Sequence, residues 1–230
     1  MSELHPMLVP RAPFADLPVA PAARRGVIVS DRDGLGLATV LARKGQSEAL
    51  AQRMRERFRI ELPHGPRRAT ARDIALAGTG PGAWLASCEQ GGNAFAVSLR
   101  EAIGDLASVS DQSDGYAVLR LSGLRVRDTL CKLVPVDVHP RVFNVGDVAV
   151  TVAAHIGATL WRLEDQTPGS PVFEIAVFRS FATSFWRALF ESAAEFGFDR
   201  AWFELSLARS QRHSTHTWST DAAELENPST

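Results

Sequence analysis

The chain has 230 residues, of which 45% are hydrophobic and 22% are charged, and its 25 basic and 26 acidic residues give a net charge of −1. This length fits one large domain or two small ones, and the apolar content is sufficient for a buried core. A nearly neutral chain argues against a general affinity for nucleic acid, and no apolar run approaches the roughly 20 residues that span a bilayer. We therefore expect no nucleic-acid partner and no membrane insertion.

The two cysteines, Cys88 and Cys131, lie in differently patterned segments and form neither a CxxC pair nor a zinc spacing. The sequence thus predicts neither a disulfide framework nor a metal site. The first residues show no charged start followed by an apolar block of roughly 7–15 residues, so we expect no secretory signal. These features predict a cytoplasmic protein whose thiols are both reduced.

The segment 1–35 is rich in proline and has little apolar periodicity. Proline fixes φ and removes backbone donors, so we predict an extended N-terminal arm over residues 1–35. Two alternatives stay open for it, an arm that lies across a partner and a frayed terminus.

The next part of the chain alternates strand-like and helix-like patterns. A strand is predicted over 37–41, followed by a helix that begins at Ser47 and carries an apolar stripe on one face. A glycine-rich turn over 78–82 precedes a strand over 83–88, and a second helix then runs from Asn93 to Gly104. The arginines of the first helix indicate a solvated face more than a phosphate-binding surface; they are Arg53, Arg55, Arg57 and Arg59.

The second half repeats this pattern. A strand from Tyr116 breaks at Ser122-Gly123, and a helix follows that Pro135 ends. Strands over 147–154 and 159–163 are predicted to pair through a turn at Ile156-Gly157, and a third strand covers 172–178. A long helix then begins near Ser180 and closes at Gly197.

Two consecutive units of this kind with antiparallel pairing predict an α+β fold. We expect two ferredoxin-like halves that share a sheet, over residues 36–110 and 111–198, and that together form one domain over 36–198. Residues 199–230 have few apolar anchors, and we predict a polar, disordered tail.

Candidate reactive groups are few. Neither Gly34-Leu35-Gly36 nor the 78–82 turn matches a P-loop or a dinucleotide fingerprint, so turn chemistry is favoured for both. His213 and His216 could hold a metal but lack a further ligand nearby. A hydrogen bond between Asp137 and His139 is conceivable, although a structural role for His139 is favoured.

The polar segment that begins at Asp111 lies between two strand-like runs. Its short side chains commonly bond nearby backbone amides, which fixes a turn without catalysis. Cys131 has Lys132 beside it, but adjacent helical residues point in different directions, so a packing role is favoured. The spacing of the candidate residues alone does not identify a catalytic residue.

Several short motifs together carry a family resemblance over residues 37–197. They are Asp111-Gln112-Ser113-Asp114-Gly115, Leu119-Arg120-Leu121-Ser122-Gly123, Val136-Asp137-Val138-His139-Pro140, Leu160-Trp161-Arg162, Arg179-Ser180-Phe181-Ala182 and Ala193-Ala194-Glu195-Phe196-Gly197. In these motifs the chain resembles the gamma subunit of heterotetrameric sarcosine oxidase, within the folate-binding aminomethyltransferase-like superfamily.

The resemblance implies a fold like the folate-binding domain of aminomethyltransferases. It also implies a subunit without its own active site, in a complex with alpha, beta and delta subunits. That complex would demethylate sarcosine to glycine and form hydrogen peroxide and 5,10-methylenetetrahydrofolate. Its FAD, FMN, NAD, tetrahydrofolate and zinc would be bound by the other three subunits, and none by this chain alone.

The motif residues are expected to be structural or to lie at a subunit interface, with no catalytic, cofactor-binding or metal-binding role. They are Asp111, Gln112, Ser113, Gly115, Arg120, Ser122, Gly123, Asp137, His139, Pro140, Trp161 and Arg162. Trp84, Trp161 and Trp186 are candidates for interface anchors or for core positions.

The chain departs from the family at its end, because family members usually stop close to the match for Gly197. Two alternatives remain, an aminomethyl-transfer enzyme of the same superfamily and a stand-alone folate-binding protein. The first would carry a further C-terminal barrel domain, and relatives of the second carry a Lys-Gly-Cys-Tyr type motif, which neither cysteine context here matches.

Overall fold

The computed structural model describes residues 12–14, 17 and 25–201. The strands form two mainly antiparallel sheets, and helices pack against the outer face of each sheet. In chain order the strands and helices are β1 (Val27–Asp31), β2 (Gly36–Ala42), α1 (Ser47–Phe58), β3 (Arg68–Ala71), β4 (Ile74–Gly80), β5 (Ala83–Cys88), α2 (Ala94–Ile103), β6 (Ala107–Asp111), β7 (Tyr116–Ser122), α3 (Val126–Leu133), β8 (Val148–Ala153), β9 (Ile156–Thr167), β10 (Ser170–Phe178), α4 (Ala182–Ala193) and β11 (Phe198–Arg200).

The first sheet has five strands in the order β3-β4-β5-β2-β6, and every pairing in it is antiparallel. Without the edge strand β3, its elements follow the chain order β-α-β-β-α-β of a ferredoxin-like unit. Helices α1 and α2 cover its outer face through a core that includes Leu50, Met54, Leu76 and Leu99. The predicted stripe of α1 is confirmed at Leu50 and Met54, which are both buried.

The second sheet has six strands in the order β11-β1-β7-β10-β9-β8 and repeats the arrangement of the first. Strand β1 takes the place beside β7 that β6 takes beside β2, and β11 adds a parallel pairing outside it. Helices α3 and α4 cover the outer face, where Leu130, Phe185 and Leu189 are fully buried. The expected α+β fold with two ferredoxin-like halves is confirmed, but the expectation of a shared sheet is wrong, because each half has a sheet of its own.

The inner faces of the two sheets meet in a third, smaller core. Alternation along β7 sends Leu119 and Leu121 to the helix side and Val118 to the inner side, as the period of two in a strand requires. On the other sheet Leu37 and Leu85 face inward. The molecule therefore has four layers, in which helices lie outside and a thin apolar layer joins the sheets.

The structure corrects the predicted boundaries of the N-terminal arm. Val27–Asp31 forms β1 in the six-stranded sheet, and Phe14 is 1% exposed against the ring of Trp186. The apolar segment Val27-Ile28-Val29 is short and follows a stretch with five prolines, so the sequence pattern does not predict a strand there. The tail boundary also moves, because Asp199 and Arg200 belong to β11; residues 202–230 lie outside the described residues.

The β8–β9 hairpin turns two residues earlier than predicted. Its turn residues are Ala154 and His155, with φ of 48° and 67°. Positive φ at both central positions gives the turn whose twist matches paired strands, and it usually contains Gly or Asn. Ile156 and Gly157, the predicted turn, instead lie in β9.

No helix in the described part of the chain is long and apolar enough to cross a membrane.

Candidate functional site

A buried carboxylate lies between the two sheets and collects charged partners around it. Glu174 on β10 is 3% exposed, and its Oε1 accepts hydrogen bonds from Arg120 Nε at 3.0 Å and Nη2 at 2.8 Å. Trp161 Nε1 donates to its Oε2 at 2.8 Å. Arg120 and Trp161 are the residues directly opposite Glu174 on β7 and β9, so sheet register brings the three side chains together.

The five-stranded sheet and the β1–β2 loop contribute further charges to this cluster. Arg32 Nε lies 2.7 Å from Glu174 Oε1 as an ion pair, and another nitrogen of Arg32 pairs with Glu89, which follows β5. Arg68 on β3 lies close enough that Glu174 and Glu89 raise its pKa, but burial is the larger effect and lowers the pKa of Arg68 overall. Arg32 and Arg120 therefore share the Glu174 carboxylate at the junction of the sheets, and the charge of Arg68 lies near it.

This arrangement suits a clamp better than a catalytic centre. Both oxygens of Glu174 accept hydrogen bonds from side chains of the same sheet, and these bonds hold the carboxylate in place between the two sheets. The cluster is costly to disturb at its centre, because loss of Glu174 removes the carboxylate that Arg32 and Arg120 share.

Cavities open at two places in the described part of the chain, and Arg32 of the cluster lines the first of them. The first, of about 550 Å³, lies beside the β1–β2 loop and carries mixed charges from Arg32, Asp33, Asp114 and Arg179. The described arm residues Ala12 and Pro13 form part of its wall. Opposite charges within one wall do not select a particular ligand charge.

The second cavity, of about 710 Å³, lies beside the 78–82 turn and is lined without any Asp, Glu, Lys or Arg among the described residues. Trp84 lies in its wall and donates Nε1–H to the Pro63 carbonyl at 3.0 Å. The turn in this segment is shorter than predicted: Pro81 and Gly82 form it, with a φ of 66° at Gly82, whereas Gly78 and Gly80 belong to β4. A Cβ on Gly78 would lie 2.0 Å from the Gly65 carbonyl oxygen, so close approach of the backbone explains that glycine. Gly34 in the first cavity is likewise a turn residue with φ of 80°.

The motif over 111–115 forms the connection from the five-stranded to the six-stranded sheet. Asp111 Oδ1 accepts hydrogen bonds from the Ser113 backbone N–H at 2.9 Å and from its hydroxyl at 2.7 Å. The Leu37 N–H donates to Ser113 Oγ at 3.1 Å, and the Gln112 N–H donates to the Leu37 carbonyl at 2.8 Å. Gly115 accepts from the Arg179 N–H at 2.9 Å. These residues fix the crossover between the sheets.

The motif around His139 forms a loop of its own. Asp137 Oδ1 accepts the backbone N–H of His139 at 2.9 Å, not its imidazole. The imidazole Nδ1 instead accepts the Arg141 N–H at 3.2 Å, and His139, like Pro140, is exposed. The hydrogen bond considered between the two side chains therefore does not form, and each side chain instead accepts a backbone N–H of the turn.

The remaining motif residues are divided between the two faces of the six-stranded sheet. Ser122 lies opposite Val172 in the sheet, and Gly123, with φ of 117°, could not carry a Cβ because that atom would lie 2.4 Å from the Gly26 carbonyl oxygen. Arg162 is 4% exposed and faces away from Glu174, with Nη1 2.8 Å from the Val172 carbonyl and an ion pair to Asp165.

All three tryptophans proposed as interface anchors or core residues belong to the core. Trp84, Trp161 and Trp186 are 6%, 3% and 1% exposed. Exposed aromatic surface comes instead from Phe178 and Phe181, at 47% and 48%. His213 and His216 lie outside the described residues.

Sequence reasoning found Arg120 and Trp161 but missed Glu174, Arg32 and Glu89. A signal for Glu174 was present, because strand alternation places it between Val172 and Ala176 on an apolar face. A carboxylate at such a position is seldom buried without a partner.

The comparisons with known proteins agree on one family. The family model described as "Sarcosine oxidase, gamma subunit family" matches residues 44–195. A sarcosine oxidase subunit gamma from Corynebacterium sp. (strain P-1) is 38% identical over 89 residues, which cover 38% of this chain and 43% of that protein. The subunit gamma of an Arthrobacter sp. is 33% identical over 97 residues, or 42% of this chain and 48% of that protein. The chain thus aligns with less than half the length of these relatives.

Solved structures extend the likeness to the whole fold. A chain of the heterotetrameric sarcosine oxidase from Corynebacterium sp. U-96, in complex with pyrrole 2-carboxylate, superposes with a TM-score of 0.69 and 27% identity, covering 81% of this chain and 96% of that one. The glycine cleavage system aminomethyltransferase T from Bartonella henselae gives a TM-score of 0.56 with 13% identity, covering 77% and 48%. At that identity the second likeness concerns the fold alone.

Proposed function

Because the chain belongs to the sarcosine oxidase gamma subunit family, we propose that it is the non-catalytic gamma subunit of a heterotetrameric sarcosine oxidase. The strongest support is the superposition onto a chain of such a heterotetramer over 96% of that chain's length. Sequence relatives that carry the name subunit gamma add to it.

The complete complex would convert sarcosine, oxygen and tetrahydrofolate into glycine, hydrogen peroxide and 5,10-methylenetetrahydrofolate. In this proposal the alpha, beta and delta subunits bind FAD, FMN, NAD, tetrahydrofolate and zinc, and this chain supplies structure in a cytoplasmic enzyme. The motif residues that have polar side chains support such a role, since several of them are engaged in turns and ion pairs within the chain.

The role assigned to this chain is assembly and stabilisation of the large flavoprotein subunits. Large apolar side chains reach the surface at Leu124, which is 72% exposed, and at Phe178 and Phe181. Exposed apolar surface of this kind favours association with other chains. We therefore expect the isolated protein to be colourless, inactive and prone to aggregate.

The test is mass spectrometry of the proteins that co-purify with a tagged copy expressed in its native cell. Stoichiometric recovery of two large flavoprotein subunits and a small zinc protein is the expected result. Recovery of a clean monomer without flavin would contradict the proposal. Tetrahydrofolate binding by that monomer, measured by calorimetric titration, would instead support a stand-alone folate-binding protein.

A further inference from the structure

Strand β8 has one edge that is only partly paired. It is an edge strand of the six-stranded sheet, and one of its two edges is hydrogen-bonded to β9. The Val148 N–H points outward and donates to the Pro66 carbonyl at 2.9 Å, where the five-stranded sheet touches this edge. In an antiparallel strand the backbone N–H and C=O groups of every second residue point to the same edge. Those of Val150 and Val152 therefore point outward, as those of Val148 do. No described residue bonds to them.

The side chains on this edge are exposed and uncharged. Val150 is 59% exposed and Val152 is 45% exposed, although both lie on the same inner face as the buried Val148. Proteins usually protect free edges with charged residues, proline or bulges. Within β8, whose sequence is Val-Ala-Val-Thr-Val-Ala, none of these is present.

An apolar cleft adjoins this edge. Val150 lines the 710 Å³ cavity together with Pro63, Pro81 and Trp84, and no ionisable side chain other than that of His64 is among its described lining. Leu41, which is 48% exposed, lies opposite Ala83, the first residue of β5 after the 78–82 segment. The edge can therefore form backbone hydrogen bonds with an added strand, and the cleft can hold side chains of that strand.

We propose that this edge and cleft receive an extended, uncharged segment of another subunit, which adds a strand to the six-stranded sheet. Unpaired N–H and C=O groups at alternate residues are matched by an extended backbone, and a cleft without Asp, Glu, Lys or Arg is matched by apolar side chains. The inference rests on the proposed function, which supplies the partner.

A second copy of this chain fits the site less well. Two β8 edges paired with each other would join only the outward groups of Val150 and Val152 on each side. The Val150 side chain of each copy lines that copy's own cleft, so such a pairing would leave both cavities empty. A segment from a different chain can fill the cleft and pair with the edge at the same time.

Val150→Pro tests the strand addition with little disturbance of the fold. The Val150 N–H takes no part in the pairing with β9, so proline removes only the outward donor. Val152→Lys places a charge on the same edge. Val97→Lys is the matched control, because Val97 is 49% exposed on α2, on the outer side of the other sheet. Circular dichroism melting confirms that each variant is folded.

Tagged full-length chains are purified from the native cell, and the recovered large subunits are quantified by mass spectrometry. We expect Val150→Pro and Val152→Lys to reduce recovery at least tenfold and Val97→Lys to leave it unchanged. In the intact complex, hydrogen exchange at the amides of Val150 and Val152 should be at least 100-fold slower than in the free chain.

The outcomes separate this inference from the proposed function. If the wild-type chain recovers the large subunits and Val150→Pro recovers them equally well, the β8 site is wrong and the proposed function stands. If the wild-type chain recovers none, both are wrong. A wild-type homodimer that Val150→Pro dissociates would overturn the choice of occupant, as light scattering would show.

Discussion

The two cysteines differ in the surroundings of their sulfur atoms, and this difference predicts their reactivity. Cys88 is 2% exposed, and burial, with smaller effects of Asp73 and Glu89, raises the pKa of its thiol to about 11. Cys131 is exposed on α3. Because the thiolate is the reactive form, we expect brief treatment of the native chain with iodoacetamide at pH 8 to label Cys131 and spare Cys88. Peptide mass spectrometry measures the label at each site.

Cys131→Ser should abolish this labelling, whereas Cys88→Ser should leave it intact. Rapid modification of Cys88 in the folded chain would contradict the prediction.

The raised pKa of Cys88 also makes the stability of the chain depend on pH. The folded pKa lies above the unfolded value of 9.0, so the contribution of the neutral thiol is complete below about pH 9 and is lost as the pH rises towards 11.

At the scale of elements, the N-terminal segment contributes to the core of the six-stranded sheet through Phe14. Its ring is 1% exposed and lies 5.7 Å from that of Trp186 on α4. We expect Phe14→Ala to lower the free energy of unfolding by about 3–5 kcal/mol, the usual cost of removing a buried aromatic ring. Phe181→Ala, at a residue that is 48% exposed, should change it by less than about 1 kcal/mol. Urea titrations give both values, and equal effects would mean that Phe14 is not anchored.

Helices and central strands could be predicted because their apolar residues repeat with the period of the element. Val126, Leu130 and Leu133 of α3 share a buried face, as expected from their spacing. Strand β1 could not be predicted in this way, since its place depends on pairing with β7 and β11, which are about 90 and 170 residues away. The turn at Ala154 and His155 contains no Gly, Asn or Asp, whereas Gly157 nearby gives the stronger turn signal, so the sequence pattern favours the wrong position.

At the scale of the whole molecule, the apolar layer between the sheets is small, and the charged cluster lies within it. Leu37 and Leu85 from one sheet pack near Val118 and Trp161 from the other. The family pattern identified Arg120 and Trp161, but their common partner Glu174 depends on the register of three strands, which no local spacing encodes. Through Arg32 and Glu89, the cluster also reaches the five-stranded sheet.

This connection predicts that the two sheets unfold together and that Glu174 contributes to both. Glu174→Gln removes the charge that Arg32 and Arg120 share, and we expect a loss of about 3–5 kcal/mol in the free energy of unfolding. Glu164→Gln, at an exposed position of β9, should cost less than about 0.5 kcal/mol. The measurement is a urea titration followed by amide signals from Leu85 in one sheet and Leu119 in the other. If Glu174 couples the sheets, both midpoints fall by the same amount, whereas a shift at Leu119 alone would show that the cluster stabilises only the sheet that contains it.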